Sequence, residues 1–244
     1  MTSSAVSVYE DALANGRTLY PRVRIGRPGR ARTYWLTIAA LRLLNLRYKV
    51  TVNGANHIAK GPGILLANHV SALDPVVVVM STWMRVTAFT KVEVYEKSGA
   101  IFFRLMGQIP LRSGDEASTV WAMQMASLAV QYGGKIAVYP EGTRSPDRGK
   151  LHRLHRRVLI PVLQANPNIP VHAVTATYLK RPHRRTRVEV NISPALAIDL
   201  NSMTADETTE LVRDELLRLG GQEYVHKFAR DVKENNNPPS TRQG

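Results

Sequence analysis

"GILLANHVSALDPVVVV", residues 63–79, decides the fold. A Gly/Pro turn precedes a short apolar run, 63–67, which reads as a strand. His69 follows it and reads as the chain's only buried histidine. Five residues on, Asp74-Pro75 is a helix-start signature: an N-cap, then a residue whose fixed φ suits the first helical position. The β-branched run behind it would pass for a strand, and the start signal makes it a helix. A strand that ends in polar residues and feeds a helix is the unit of an α/β sheet. It sets His69 and Asp74 at the carboxyl edge of the strands, where such folds hold their chemistry.

At that edge an imidazole can take a proton from a hydroxyl while a carboxylate fixes its tautomer and stabilises the imidazolium. The same residues allow a plainer reading. Ser71-Ala72-Leu73-Asp74 matches a capping box, which needs no histidine. A His and an Asp five apart are common, so the pair alone favours the cap.

Outward from this unit the alternation continues. A helix is expected over 33–46, then a strand ending in the Asn53-Gly54 turn. "RVTAFTKVEVY", 85–95, is a strand. "AIFFRLMGQIPLRSG" is a helix, a break at Gly107 and a strand to Arg112. A helix from Glu116 stops at Gly133-Gly134, and "KIAVYPEGTRSPDRGK" follows as strand, turn and loop. A helix holding Pro161, strands within 169–179 and 186–196, and a capped amphipathic helix over 204–220 complete the pattern. The expected fold is α/β, a mixed, largely parallel sheet flanked by helices, with an N-terminal amphipathic helical segment. Residues 1–48 read as a basic arm and membrane-associating helix, 49–230 as the α/β domain and 231–244 as a disordered tail.

Of 244 residues, 44% are hydrophobic, enough for one substantial core. Lys and Arg number 33 against 19 Asp and Glu, a net +14 that favours a polyanionic partner. The lack of cysteine excludes thiol catalysis, disulfides and Cys-ligated zinc. No apolar run approaches the roughly 20 residues needed to span a bilayer, so the protein reads as cytoplasmic, peripheral on the inner face of the cell membrane. Arg17, Arg22, Arg24, Arg27, Arg30 and Arg32 alternate with Leu19, Tyr20, Val23 and Ile25 ahead of "YWLTIAALRLLNLRY". That pattern suits a segment lying on an anionic membrane surface, with Tyr34 and Trp35 at the interface, and equally a helix packed under the sheet.

The second polar cluster is "YPEGTRSPD", 139–147, at the end of an apolar strand. Gly142 permits a tight turn. Thr143, Ser145 and backbone N–H groups can donate to phosphate oxygens, and Arg144 offers a bidentate fork. An ordinary solvated turn has the same composition.

Taken together, the clusters are specific. Asn68-His69-x4-Asp74-Pro75, then Pro140-Glu141-Gly142-Thr143-Arg144-Ser145 about 70 residues later, resembles the glycerolipid acyltransferase family, lysophosphatidic acid acyltransferases in particular. "GQIPLRSG", 107–114, is similar to its second block, with Arg112 as the basic residue, and "IPVHAV", 169–174, to its fourth. The resemblance implies phospholipid biosynthesis by acyl transfer from acyl-CoA or acyl carrier protein to a lysophospholipid hydroxyl. It implies His69 as general base, Asp74 as its orienter, and Arg112, Glu141, Gly142, Thr143 and Arg144 at the phosphate-bearing acceptor. Neither cofactor nor metal is implied. One place departs from the family: where it has an aromatic, a lysine and a glycine before the next helix, this chain has Leu154, His155 and Arg157. That departure leaves another lipid or a natural-product alcohol open as acceptor.

Two rivals remain. A serine hydrolase would need a nucleophile, and no G-x-S-x-G elbow occurs; Ser71 and Ser145 have ordinary roles available. A nucleic-acid-binding module would suit +14, but the charge is spread along the chain and no such motif appears.

Overall fold

The computed structural model describes residues 3–44, 48–82, 84–96, 100–179 and 185–236. In chain order the elements are α1 (Ser3–Leu19), α2 (Tyr34–Leu44), β1 (Tyr48–Asn53), β2 (Gly63–Ala67), α3 (Asp74–Thr82), β3 (Val86–Lys91), α4 (Ala100–Leu105) and β4 (Ile109–Leu111). Then come α5 (Glu116–Gln131), β5 (Lys135–Val138), β6 (Lys150–His152), α6 (Arg156–Gln164), β7 (Val171–Leu179), β8 (Thr186–Ile192), α7 (Ala205–Gly220), β9 (Glu223–Val225) and α8 (Ala229–Asn236).

Seven strands form one sheet in the order β1-β8-β7-β2-β5-β3-β4, and β6 pairs with β9 in a small second sheet. Strands β7, β2, β5, β3 and β4 run parallel; β8 is antiparallel to β7 and parallel to β1. The sheet is therefore mixed and largely parallel, as expected. All five residues of β2 are buried. A strand's side chains alternate between faces, and Ile64 and Leu66 join one core with Ile136, Met125, Leu159 and Val212. Leu65 and Ala67 join a second core with Tyr34, Ile38, Val77 and Val174. With both faces covered, the polar residues after β2 have only the strand ends to occupy.

The amino-terminal segment is not a free arm. Tyr9, Ala12 and Leu13 are buried on one stripe of α1, which packs on α5. Gly16 lies so close to Trp121 that a Cβ would stand 2.1 Å from its ring. Beyond α1, Tyr20, Val23 and Ile25 are also buried. Arg27 pairs with Glu10 at 2.7 Å, and Arg30 lies over the rings of Tyr9 and Tyr132. The arginines that suggest an arm begin only at Arg17, downstream of a helical stripe at Tyr9, Leu13 and Gly16, whose i, i+4, i+7 spacing is that of a packed face.

Helix α2 packs under the sheet by one face and leaves apolar residues exposed on the other. Tyr34 and Ile38 are buried, and the Tyr34 hydroxyl donates to the Met84 carbonyl and accepts from the Val86 N–H, so Tyr34 is a core residue rather than an interfacial one. Trp35, Leu36 and Leu43 are exposed, as is Ile101 of α4. Among the described residues no helix is long and apolar enough to cross a membrane.

The expected tail is also corrected. Residues 231–236 belong to α8, whose Ala229 is fully buried; residues 237–244 lie outside the described residues. The burial that anchors α8 comes from residues 228 and 229, just upstream of the polar run that suggested disorder.

Candidate active site

The parallel strands deliver His69, Lys91, Arg112 and the 139–147 turn to one edge of the sheet. Asn68, buried at the end of β2, acts as an extra ladder residue: its Oδ1 accepts from Ala176 N–H at 2.9 Å and its Nδ2 donates to Gln222 at 3.0 Å. That fixes the chain's exit from the sheet one residue before His69.

His69 Nδ1 lies 2.9 Å from Asp74 Oδ2. Asp74 is fully buried, while the His69 side chain is 18% exposed. Asp74 Oδ2 also accepts the N–H groups of Val70 and Ser71, each at 2.7 Å, and Oδ1 accepts the Tyr178 hydroxyl at 2.8 Å. Burial first, then the nearby Asp74 charge, push the Tyr178 phenol well above the usual range, so it stays a donor. Every partner of Asp74 is a donor, so His69 Nδ1 carries the hydrogen and Nε2 is left as the acceptor. The Tyr139 ring lies 4.6 Å from the imidazole and supports it from beneath.

The His69–Asp74 contact and a cap are compatible. Asp74 accepts the Ser71 N–H, which is half of a capping box, and Leu73 N–H bonds to Ser71 Oγ at 3.2 Å. The carboxylate reaches back toward the His69 turn rather than forward over its own helix, contrary to the N-cap reading of Asp74-Pro75. His69 is not the chain's only buried histidine either. His152 and His172 are more deeply buried, His172 with its Nδ1 3.0 Å from the Ser193 carbonyl. Their burial comes from strands β6 and β7 packing at a distance in sequence, which local pattern does not reveal.

Glu141 is fully buried, its Oε1 accepting the His69 N–H at 2.9 Å and its Oε2 the His152 N–H at 3.1 Å. It is therefore a buried clamp on two backbone amides, where the sequence leads one to expect a side chain open to the substrate. Burial raises its carboxyl to about 7. Ser145 N–H donates to the His69 carbonyl at 2.6 Å, so both backbone groups of His69 are held by the 139–147 turn. Gly142 has φ +70, and a Cβ there would lie 2.8 Å from the His155 ring. Thr143 and Arg144 face outward beyond it, Arg144 exposed.

Arg112 does not join them. It leaves β4, at the sheet edge three positions from β2, or roughly 14 Å at the usual strand spacing. Its guanidinium pairs with Asp115 at 3.3 Å and lies over Tyr20. Residues missed in the sequence are Tyr178, Asn68 and Lys233. Lys233 Nζ donates to Thr143 Oγ1 at 3.2 Å. Only Asn68, inside the quoted motif, carried a local signal.

The place of departure from the family pattern is a packing site. Leu154 is buried, and His155 stacks on Phe228 at 4.2 Å and 7°. Arg157 is exposed on α6. Among the described residues, the His69 ring bonds to neither Ser71 nor Ser145, and no group of three His, Asp or Glu is placed to hold a metal.

Comparison with known proteins places the family and the fold. A family model described as Acyltransferase matches residues 49–177. The fold is similar to the crystal structure of the 1-acyl-sn-glycerophosphate (LPA) acyltransferase, PlsC, from Thermotoga maritima. The TM-score is 0.57 at 22% identity, over 84% of this chain and 78% of that one. No curated protein matches.

Proposed function

This chain belongs to the acyltransferase family, and we propose that it moves an acyl group from an acyl-CoA or acyl carrier protein thioester to the free hydroxyl of a lysophosphatidic acid-like acceptor. The acceptor hydroxyl gives its proton to His69 Nε2 as its oxygen attacks the thioester carbonyl. Collapse of the tetrahedral intermediate expels the thiolate, which takes the proton back from the imidazolium. Asp74 holds the ring and stabilises its positive form. No acyl-enzyme is needed when both substrates are bound at once.

The observation that carries this reading is the His69–Asp74 contact, with Nδ1 committed to a buried carboxylate and Nε2 left, among the described residues, without a hydrogen-bond partner. Arg144, beside Thr143 on the next strand's turn, is assigned to the acceptor phosphate; Arg112, occupied with Asp115, has a lesser part. Trp35, Leu36 and Leu43, with Ile101 and the exposed Arg24 and Arg32, form the face assigned to an anionic membrane surface on the cytoplasmic side.

The test is to incubate purified protein with acyl-CoA or acyl carrier protein donors and a panel of lysophospholipids and simple alcohols, with product identified by mass spectrometry. Acylation of lysophosphatidic acid, lost in His69→Ala at unchanged Tm, is the expected result. Full turnover by His69→Ala would end the proposal, and acylation of uncharged alcohols alone would move it to another acceptor.

A further inference from the structure

We propose that Lys233, on the C-terminal helix α8, binds the phosphate of the acceptor. This deepens the reading just given and rests on it. The ammonium sits at the rim of the turn that carries Thr143 and Arg144, with Nζ 3.2 Å from Thr143 Oγ1. Burial first, then the charges of Arg144 and Lys91, hold it below the usual lysine range, opposed by Glu141. Two further cations, Arg144 after β5 and Lys91 at the end of β3, thus lie within electrostatic reach of Lys233. Among the described residues none of the three has a carboxylate within 4.0 Å. Glu141, the acid nearest in charge, is raised to about 7 and spends both oxygens on backbone amides. Like charges gathered without counter-ions destabilise a fold unless a ligand supplies the opposite charge, and a phosphate monoester carries up to two negative charges.

Helix α8 is brought there by specific contacts. Strand β9 pairs with β6, and Arg153 N–H donates to the Lys227 carbonyl at 3.1 Å. Phe228 is stacked by His155 on one side and approached by Arg153 at 5.0 Å. His155 also closes on Gly142, so one histidine touches both the phosphate turn and the root of α8. Where the chain departs from the family pattern is thus where α8 docks. Lysine suits the role: a point charge on a flexible stem can leave Thr143 for a phosphate oxygen as the ligand arrives, while the Arg144 fork sets orientation.

The experiment compares wild type, Lys233→Gln, Lys233→Arg and Arg144→Ala as full chains. Lysophosphatidic acid and the monoacylglycerol of the same chain serve as acceptors, or the latter as competitive inhibitor if it is not acylated. Lys233→Gln should raise KM for the phosphate acceptor about tenfold, with kcat within about threefold and the uncharged lipid unaffected, and Lys233→Arg should restore most of the loss. An equal effect on both lipids, together with a shifted pH profile, would make Lys233 a counter-ion of Glu141 and overturn the proposal. Selective loss in Arg144→Ala but not in Lys233→Gln would overturn it while leaving the site reading intact. Selectivity in neither would remove the phosphate site itself.

Discussion

Glu141 Oε1 accepts the backbone N–H of His69 at 2.9 Å, so a buried acid on one strand's turn fixes the backbone of the histidine at the end of the next. Its carboxyl is raised to about 7 against an ordinary 4.5. In that window the unfolded chain has released its proton while the folded chain keeps it. Stability from this group is thus complete below about 4.5 and falls as pH rises through about 7. Glu141→Gln should erase this step. It should also cost about 1–3 kcal/mol, because an amide nitrogen would face one of the two N–H donors. Denaturant midpoints of wild type and variant from pH 4.5 to 8 measure both effects, and identical pH slopes would disprove the first.

Tyr178→Phe removes one of four donors from Asp74 without touching substrate. A hydrogen bond to a charged group is worth about 1.5–3 kcal/mol, so kcat should fall at least about tenfold with KM little changed. Asp74→Asn should lower kcat by about three to four orders of magnitude, since an amide can present the wrong tautomer to His69. Steady-state kinetics on both variants, with circular dichroism as the folding control, decides the matter.

Tyr139→Phe should go the other way. Among the described residues the buried Tyr139 hydroxyl has no hydrogen-bond partner, while its ring supports His69. Removing an unsatisfied buried group typically returns about 1 kcal/mol. The variant should melt no lower than wild type and keep its activity; a clear loss of either would mean that the hydroxyl has a function.

Arg144→Lys preserves charge but not the fork, and should lose much of the activity toward a phosphate acceptor, with Arg144→Ala losing more. Arg112→Ala should lose far less, because Arg112 already pairs with Asp115 and stands at the sheet edge. Equal losses at the two arginines would contradict the assigned geometry.

Deleting residues 1–32 is no test of membrane binding, because α1 is part of the core. Trp35→Ser with Leu36→Ser and Leu43→Ser leaves Tyr34 and Ile38 in place, and should weaken co-sedimentation with anionic liposomes at nearly constant Tm. Unchanged co-sedimentation would assign the membrane face elsewhere.

What could be read in the sequence follows from range. The strand 63–67, His69 and Asp74 lie within twelve residues, so their placement at one strand end was legible locally, whereas spacing alone favoured a cap and the pairing became specific only beside the second cluster. The 139–147 turn was likewise legible as a turn, and its composition alone did not set it apart from an ordinary solvated one. Tyr178 and Lys233 were not, since each reaches the site from an element whose own sequence says only strand or polar helix. Glu141 was found but misassigned, because its burial depends on β6 passing behind it. Arg112 was placed on the correct edge, and only strand order reveals that three positions separate it from β2. In α1, whose only arginine is Arg17, the packed stripe lies upstream of the arginine-rich stretch that suggested a basic arm.

The small sheet of β6 and β9 has a consequence for the timing of biosynthesis. Lys150–His152 have Glu223–Val225 as their strand partner, and His152 supplies one of the two amides that clamp Glu141. A ribosome-bound chain that has emerged through β8 already contains both members of the dyad, yet β6 still waits for its partner. Acyl transfer should therefore appear late, after β9 has docked, and a nascent chain should be spared from spending thioester before its fold is closed.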